Sequence, residues 1–288
     1  MITKVLVTGA NGQLGKTIKE LYSTNEDEIQ FSFTTKAVLD IAIKDRVEEF
    51  FNKNNFDYCI NCAAYTNVDQ AERDTKSPFD VNAEGVKYLA QICKDTNTVL
   101  IHISTDYVFY GNKKEPYTEL DTPNPINEYG KSKLLGEQHI QKISQKHFII
   151  RTSWLYSIYG NNFVKSIVNK LQEKLELKVI TSQKSTPTSC IDLSKFIYFL
   201  IKSNCVYYDT YHFTAIGETT WYDLAIQISK HFPQYNSSNI IPVKAYNSKA
   251  IRPLYSVLNN SKAQQLFSKK CDWRKSVDEV VKTLIKNQ

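Results

Sequence analysis

The stretch "KVLVTGANGQLG" confines this chain more tightly than any other. An apolar run at residues 4–8 meets glycines at 9, 12 and 15, and the amphipathic "QLGKTIKELYS" follows at once. One glycine lets a strand turn sharply into a helix, another lets backbone approach a pyrophosphate, and a third lets helix and strand pack closely. The helix start then presents free N–H groups and a positive dipole end to phosphate. The spacing is G-x-x-G-x-x-G rather than G-x-G-x-x-G, but the strand–turn–helix context near residue 1 makes Gly9, Gly12 and Gly15 a dinucleotide-binding turn. A side chain at Gly9 or Gly12 is expected to weaken that binding before it harms folding.

The first half repeats the alternation. "IQFSFT", "FDYCINCAA", "TVLIHIST" and "HFIIRTS" read as strands; "DRVEEFFNKN", "AEGVKYLAQICKD" and "KSKLLGEQHIQKIS" read as helices between them. Such alternation implies a parallel sheet covered by helices, and the strands are nearly all apolar, as strands buried on both faces are. The expected fold is α/β, a Rossmann-type doubly wound parallel sheet with a smaller C-terminal lobe. Residues 1–151 form the dinucleotide-binding domain, joined by elements around 205–232, and residues 152–288 are mainly the substrate-binding lobe. The polar "PQYNSSN" is read as a passage into that smaller lobe.

A chain of 288 residues with a net charge of +6 and scattered lysines does not read as nucleic-acid binding. The charge suits an anionic small molecule. Six cysteines show no disulfide framework, and the "CINC" pair sits in an apolar run, so a reduced core strand is expected rather than a metal or redox site. The five histidines lack metal-ligand spacing and are read as solvated or as satisfied strand residues. With no leader ahead of the first strand and no apolar run long enough for a membrane, the expectation is a cytoplasmic protein.

Tyr129 and Lys133 stand four apart in "EYGKSK", straight after "PNPIN", which cannot be helix. On a helix they share a face. A nearby ammonium lowers a phenol's pKa from about 10, giving the proton donor and acceptor that carbonyl reduction requires. Thr105 or Ser104, at the end of "HIST", is placed to hold a substrate oxygen. Strand two ends in "SFTTK" without an Asp or Glu for a ribose 2′-hydroxyl. Thr35 and Lys36 there lean towards NADPH over NADH, although Lys36 reads equally well as a solvated loop residue.

Taken together, "TGANGQLG", "NCAAYTNVD", "STDYVF" and "EYGKSK" resemble the extended short-chain dehydrogenase/reductase superfamily. Within it the chain is similar, nearly end to end, to the dTDP-4-dehydrorhamnose reductase family, through "RTSWLY", "SQKSTPTS" and "RPLYSVLNNSKAQQLF" as well. The resemblance implies NAD(P)H-dependent reduction of the C4 ketone of dTDP-4-dehydro-L-rhamnose. It implies that Tyr129 protonates the C4 oxygen, that Lys133 tunes Tyr129 and meets the nicotinamide ribose, and that Thr105 holds the carbonyl oxygen. Gly12, Gln13 and Leu14 would meet the pyrophosphate, Asp40 and Ile41 the adenine. Ala64, Tyr65 and Thr66 would line the dinucleotide, and Trp154 would contact the sugar. Asp106 reads as a substrate contact or a structural turn residue. Arg252 reads as a diphosphate contact or a cap on the C-terminal lobe. Some members place magnesium at a dimer interface through a glutamate two positions after the third glycine; Thr17 stands there, so no metal is expected. The partner is a dTDP-linked keto sugar, and the chain acts as a monomer or homodimer.

Two rivals share these motifs. The resembling dehydratases carry Thr-Asp-Glu where this chain has Thr105-Asp106-Tyr107, and without the glutamate an elimination lacks its base. An epimerase uses the same Thr, Tyr and Lys. A rival from another class is a non-catalytic binding protein, like the regulatory subunit of methionine adenosyltransferase; nothing in the retained Thr105, Tyr129 and Lys133 favours it.

Overall fold

The computed structural model describes residues 2–24, 28–245 and 248–287. Six strands form its central sheet: β1 (Thr3–Thr8), β2 (Ile29–Phe33), β3 (Tyr58–Asn61), β4 (Val99–Thr105), β5 (His147–Thr152) and β6 (Asp209–His212). All pair in parallel, in the order β6-β5-β4-β3-β1-β2. The chain crosses from β1 to β2 on one side and returns to β3 on the other. The crevice at the carboxyl ends of β1 and β3 is therefore the topological switch point, where such sheets bind ligands.

Alternate strand residues build two separate layers. Val5, Val7, Ile60, Ile101, Phe148 and Ile150 face helices Gln13–Tyr22 and Cys190–Lys202, whose Leu14, Ile18, Leu193, Phe196 and Ile197 complete one core. Leu6, Cys59, Leu100 and Ile149 point the other way. They meet Val47 and Phe51 of helix Lys44–Lys53, Leu89 of Gly85–Asp95 and Ile140 of Glu128–Ile143. This two-sided burial explains why the strands read as unbroken apolar runs.

A third core lies outside the sheet. It joins Tyr156, helix Phe163–Gln172, strand Leu177–Ile180, helix Trp221–Ser229, strand Ile240–Val243 and helix Trp273–Lys286. The second half is thus interleaved: residues 190–213 return to the sheet, and the segments on either side build the lobe. Of the span 205–232, β6 completes the sheet, while Leu224, Ala225 and Ile228 pack in the lobe. The polar "PQYNSSN" does not open the lobe. Tyr235 is buried within it, its hydroxyl donating to the Leu175 carbonyl at 2.6 Å. Among the described residues no helix is long and apolar enough to cross a membrane.

Candidate active site

The glycine turn follows β1 directly. Gly9 has φ +64°, and a Cβ there would lie 2.6 Å from the Ala63 nitrogen; one on Gly15 would lie 2.7 Å from Ala10 Cα. These two glycines are required by the fold itself. Gly12 differs, since a Cβ on it would meet only the Gly9 carbonyl, at 3.2 Å. The structure therefore corrects the expectation for Gly9, where a side chain collides with backbone, and leaves it standing for Gly12, whose one close neighbour is that carbonyl. Helix Gln13–Tyr22 starts at Gly12 without a side-chain cap, so the N–H groups of Gln13, Leu14 and Gly15 have no acceptor within the helix. The Gln13 side chain donates to the Leu155 carbonyl at 3.1 Å, tying the turn to the lobe. Thr17 turns its hydroxyl back onto the Gln13 carbonyl at 2.8 Å.

Gly12, Gln13 and Leu14 form one wall of a cavity of about 500 Å³, and Ala64, Thr66, Thr105, Asp106, Tyr129, Lys133 and Trp154 complete it. The glycine turn, the β3 end, the β4 end and the Tyr-Lys helix thus converge, although 124 residues separate Gly9 from Lys133 in the chain. Tyr65 is held differently. Its N–H donates to Asn82 Oδ1 at 2.9 Å and its carbonyl accepts from Asn82 Nδ2 at 3.0 Å. Asn82 is fully buried, and its role has no signal in the sequence. Asp40 and Ile41 do not line this cavity. Asp40 accepts from the Ala42 N–H at 3.1 Å and pairs with the exposed Lys36 at 3.7 Å, while Ile41 is buried against Gly85.

Helix Glu128–Ile143 begins at Asn127, whose side chain accepts from the Gly130 N–H at 2.8 Å and donates to the Ile251 carbonyl at 2.9 Å. At Gly130 the helix touches the β4 end, since a Cβ there would fall 2.2 Å from the Tyr107 carbonyl oxygen. That approach sets Tyr129 beside Thr105, whose side chain hydrogen-bonds the phenol. Burial pushes the phenol up to about 12, against the lowering by Thr105, and the Asp106 charge adds to the rise. The expected lowering by Lys133 is not seen. The Lys133 amine turns instead to the Ile103 carbonyl at 2.7 Å and His102 Nε2 at 3.1 Å. Burial itself draws the lysine down to about 8, against the opposing charges of Glu137 and Cys62.

Asp106 is buried and accepts from Ser256 at 2.5 Å, Thr105 at 3.1 Å and Ser185 at 3.4 Å. Burial lifts it to about 6 despite those donors. Trp154 carries an unusual φ of +45°. Its ring stacks on Trp221 at 3.5 Å, and Trp221 donates to Gln183 Oε1 at 3.0 Å.

Trp221 belongs to the wall of a second cavity, of about 950 Å³. Its charged lining is Arg73, Lys170, Lys178, Lys244, Lys249 and Arg252 against Asp69 alone, so its field is positive. Arg252 pairs with Asp69 at 2.6 Å, which holds that carboxylate well below its usual range, and also hydrogen-bonds Tyr107. Tyr107 meets the Tyr129 ring edge-on at 5.8 Å. The two cavities thus adjoin through aromatic walls, Tyr107 with Tyr129 and Trp221 with Trp154. Sequence reasoning named Trp154 and Arg252 but missed Trp221 and the basic cavity, whose lysines are scattered over 80 positions, from Lys170 to Lys249.

The family described as the RmlD substrate binding domain matches residues 3–286. A curated dTDP-4-dehydrorhamnose reductase of Aggregatibacter actinomycetemcomitans is 36% identical over 97% of this chain and 98% of its own length. That of Escherichia coli is 34% identical over 97% of each. Among solved structures, the dTDP-4-dehydrorhamnose reductase of Bacillus anthracis in complex with NADP superposes with a TM-score of 0.93 at 35% identity, covering 98% of this chain and 100% of that one. The ortholog from Clostridium acetobutylicum gives 0.91 at 37% identity over the same shares. The chain belongs to the RmlD substrate binding domain family, that of the dTDP-4-dehydrorhamnose reductases.

Proposed function

We propose that this protein reduces the C4 ketone of dTDP-4-dehydro-L-rhamnose to give dTDP-L-rhamnose, with NADPH as the preferred donor. One observation carries the reading: Tyr129, Lys133 and Thr105 close a cavity whose opposite wall is an uncapped glycine turn. The turn fits a dinucleotide, because Gly12 leaves room that a side chain would take. The N–H groups of Gln13 and Leu14 would meet the pyrophosphate, Lys133 the nicotinamide ribose, Ala64, Tyr65 and Thr66 the length of the dinucleotide, and Asp40 and Ile41 the adenine. NADPH when bound supplies the hydride. Lys36 and the absence of an acid at the end of β2 support the phosphorylated form, as does the NADP complex of the Bacillus anthracis relative.

The chain's own residues do the rest. A phenol held near 12 stays protonated at neutral pH, which is the form a reduction needs, since the C4 oxygen must gain a proton. Tyr129 gives that proton, and the Thr105 hydroxyl beside it holds the same oxygen. The basic cavity takes the nucleoside diphosphate, with Trp154 against the sugar. The test is incubation of the purified protein with NADPH and dTDP-4-dehydro-L-rhamnose. Loss of NADPH absorbance with formation of dTDP-L-rhamnose is expected. An altered sugar without net NADPH use would point to an epimerase, and an inert mixture to a binding protein.

A further inference from the structure

The basic cavity sets a single acid against four lysines and two arginines: Asp69 is the one carboxylate among the described residues that line it. Asp69 stands on the short helix Val68–Ala71, two residues past the Ala64–Thr66 stretch. Its Oδ1 accepts the backbone N–H groups of Lys249 and Ala250, each at 3.1 Å, and the Ser248 hydroxyl at 2.9 Å. Those bonds fasten the segment 248–252, every residue of which lines the cavity. Its Oδ2 accepts Arg252 Nη2 at 2.6 Å, while Nη1 reaches Oδ1 only at 3.4 Å.

The two oxygens make different demands. An amide oxygen accepts backbone N–H groups as a carboxylate oxygen does, so the fastening of 248–252 needs no charge. Only the pairing with Arg252 uses it. Arg252 has other holds. Its guanidinium donates to the Ala250 carbonyl at 3.3 Å, contacts Ser248 and hydrogen-bonds Tyr107. The Asp69 side chain is 45% exposed, and an ion pair so open to water is weakly held. A diphosphate brings more charge than one carboxylate and several oxygens in a geometry that suits a guanidinium fork. The Asp69 charge therefore occupies Arg252 until such an anion arrives, and it opposes that anion in a cavity otherwise of one sign.

We infer that Asp69 is an affinity-setting residue of the basic cavity, a counter-charge that holds Arg252 in reserve and weakens the grip on a diphosphate-linked ligand. The inference rests on the reading that this cavity takes a nucleoside diphosphate. On that reading substrate and product share one nucleotide end and differ only at C4, so a tighter grip there would hold the product as firmly as the substrate. Removing the charge lowers the KM for the keto sugar without a gain in kcat.

Asp69→Asn keeps an acceptor for Lys249 and Ala250 and removes the charge. The probe is inorganic pyrophosphate, titrated calorimetrically into the intact protein at low salt. The variant is expected to bind it about tenfold more tightly than wild type, and the difference should close at about 1 M salt, where screening acts within about 3 Å. Equal or weaker binding by Asp69→Asn overturns the inference, since loss of a residue that merely held the wall would not improve affinity. Asp69→Glu keeps the charge and should stay within a few-fold of wild type; tightening there would place the effect in the wall and overturn the inference too. Should Asp69→Asn not fold, a crystal structure of the wild type with pyrophosphate decides. Arg252 turned to the pyrophosphate, with Lys249 and Ala250 still on Asp69, is expected; Arg252 still on Asp69, or no pyrophosphate in the cavity, overturns it. No arm requires turnover. A protein inert towards the keto sugar whose Asp69→Asn variant binds pyrophosphate more tightly would lose the reductase reading and keep this inference; an active reductase whose variant does not would do the reverse.

Discussion

Ser256 donates a 2.5 Å hydrogen bond to Asp106 Oδ2 across 150 residues of chain. Ser185 adds a longer one to the same oxygen, at 3.4 Å. The end of β4 is therefore fastened to both segments that frame the basic cavity from the C-terminal side. Asp106 in turn bonds Thr105, which bonds the Tyr129 phenol. The basic cavity is thus linked to Thr105 and Tyr129 through one carboxyl group.

That carboxyl group should be visible in the pH dependence of stability. Its pKa is raised to about 6 in the fold against about 3.9 unfolded. A raised folded pKa means stability that is fully present below about pH 4 and lost as pH rises to about 6. The loss is about 3 kcal/mol, at 1.36 kcal/mol per unit. Asp106→Asn keeps the shape and lacks the titration. Urea unfolding of both proteins at about pH 4 and pH 7 should show the variant gaining about 2–3 kcal/mol relative to wild type as pH rises. A constant difference would mean that Asp106 is ionised in the fold as readily as out of it.

The glycines of the turn separate folding from binding. We expect Gly9→Val to be recovered largely insoluble or strongly destabilised, because a positive φ and a 2.6 Å backbone collision cannot be relieved by a side-chain shift. Gly12→Val should fold with a melting temperature close to wild type and lose NADPH affinity by about tenfold or more, its side chain occupying the cavity wall. Thermal melts and an NADPH titration check both. A folded Gly12→Val with unchanged affinity would remove the turn from the dinucleotide site.

Tyr129→Phe keeps the ring against Tyr107 and deletes the proton. Turnover should fall by about 10²–10⁴-fold, the range of a lost general acid, while the NADPH dissociation constant stays within a few-fold. Turnover near wild type would take Tyr129 out of the reaction. Lys133→Ala should weaken both turnover and NADPH binding, since the lysine faces the cavity and the buried His102 at once.

How much of this was legible in the sequence follows from which forces are local. The strands could be read because burial on both faces leaves unbroken apolar runs, and the Tyr-Lys helix because Pro123, Pro125 and Asn127 mark its start. The lobe could not be delimited, since residues 190–213 leave it for the sheet and no composition change marks either crossing. Tyr129 and Lys133 share a helix face as the spacing requires. Their electrostatics were misjudged because burial, which distant segments supply, acts more strongly than their mutual spacing. Trp221 and Asn82 were invisible for the same reason, their partners being supplied by distant segments.

Tyr107 stands where the resembling dehydratases have glutamate, and the structure says what a carboxylate would do there. The Tyr107 side chain hydrogen-bonds Arg252, whose guanidinium is already paired with Asp69. In Tyr107→Glu the new carboxylate would have a cation within reach and would be drawn to it, away from a substrate carbon. A base acts only within hydrogen-bond distance of the proton it removes, and an ion pair with arginine also lowers its basicity. We therefore expect no 4,6-dehydration from this variant. Its reductase activity should fall by about tenfold, through loss of the edge-on contact with Tyr129 and through competition with Asp69 for Arg252. The assay is incubation with dTDP-glucose and a search for the 4-keto-6-deoxy sugar, beside NADPH oxidation with the keto sugar. Rapid formation of the 4-keto-6-deoxy sugar by the variant would mean that Arg252 does not hold the carboxylate and that the site accepts elimination geometry.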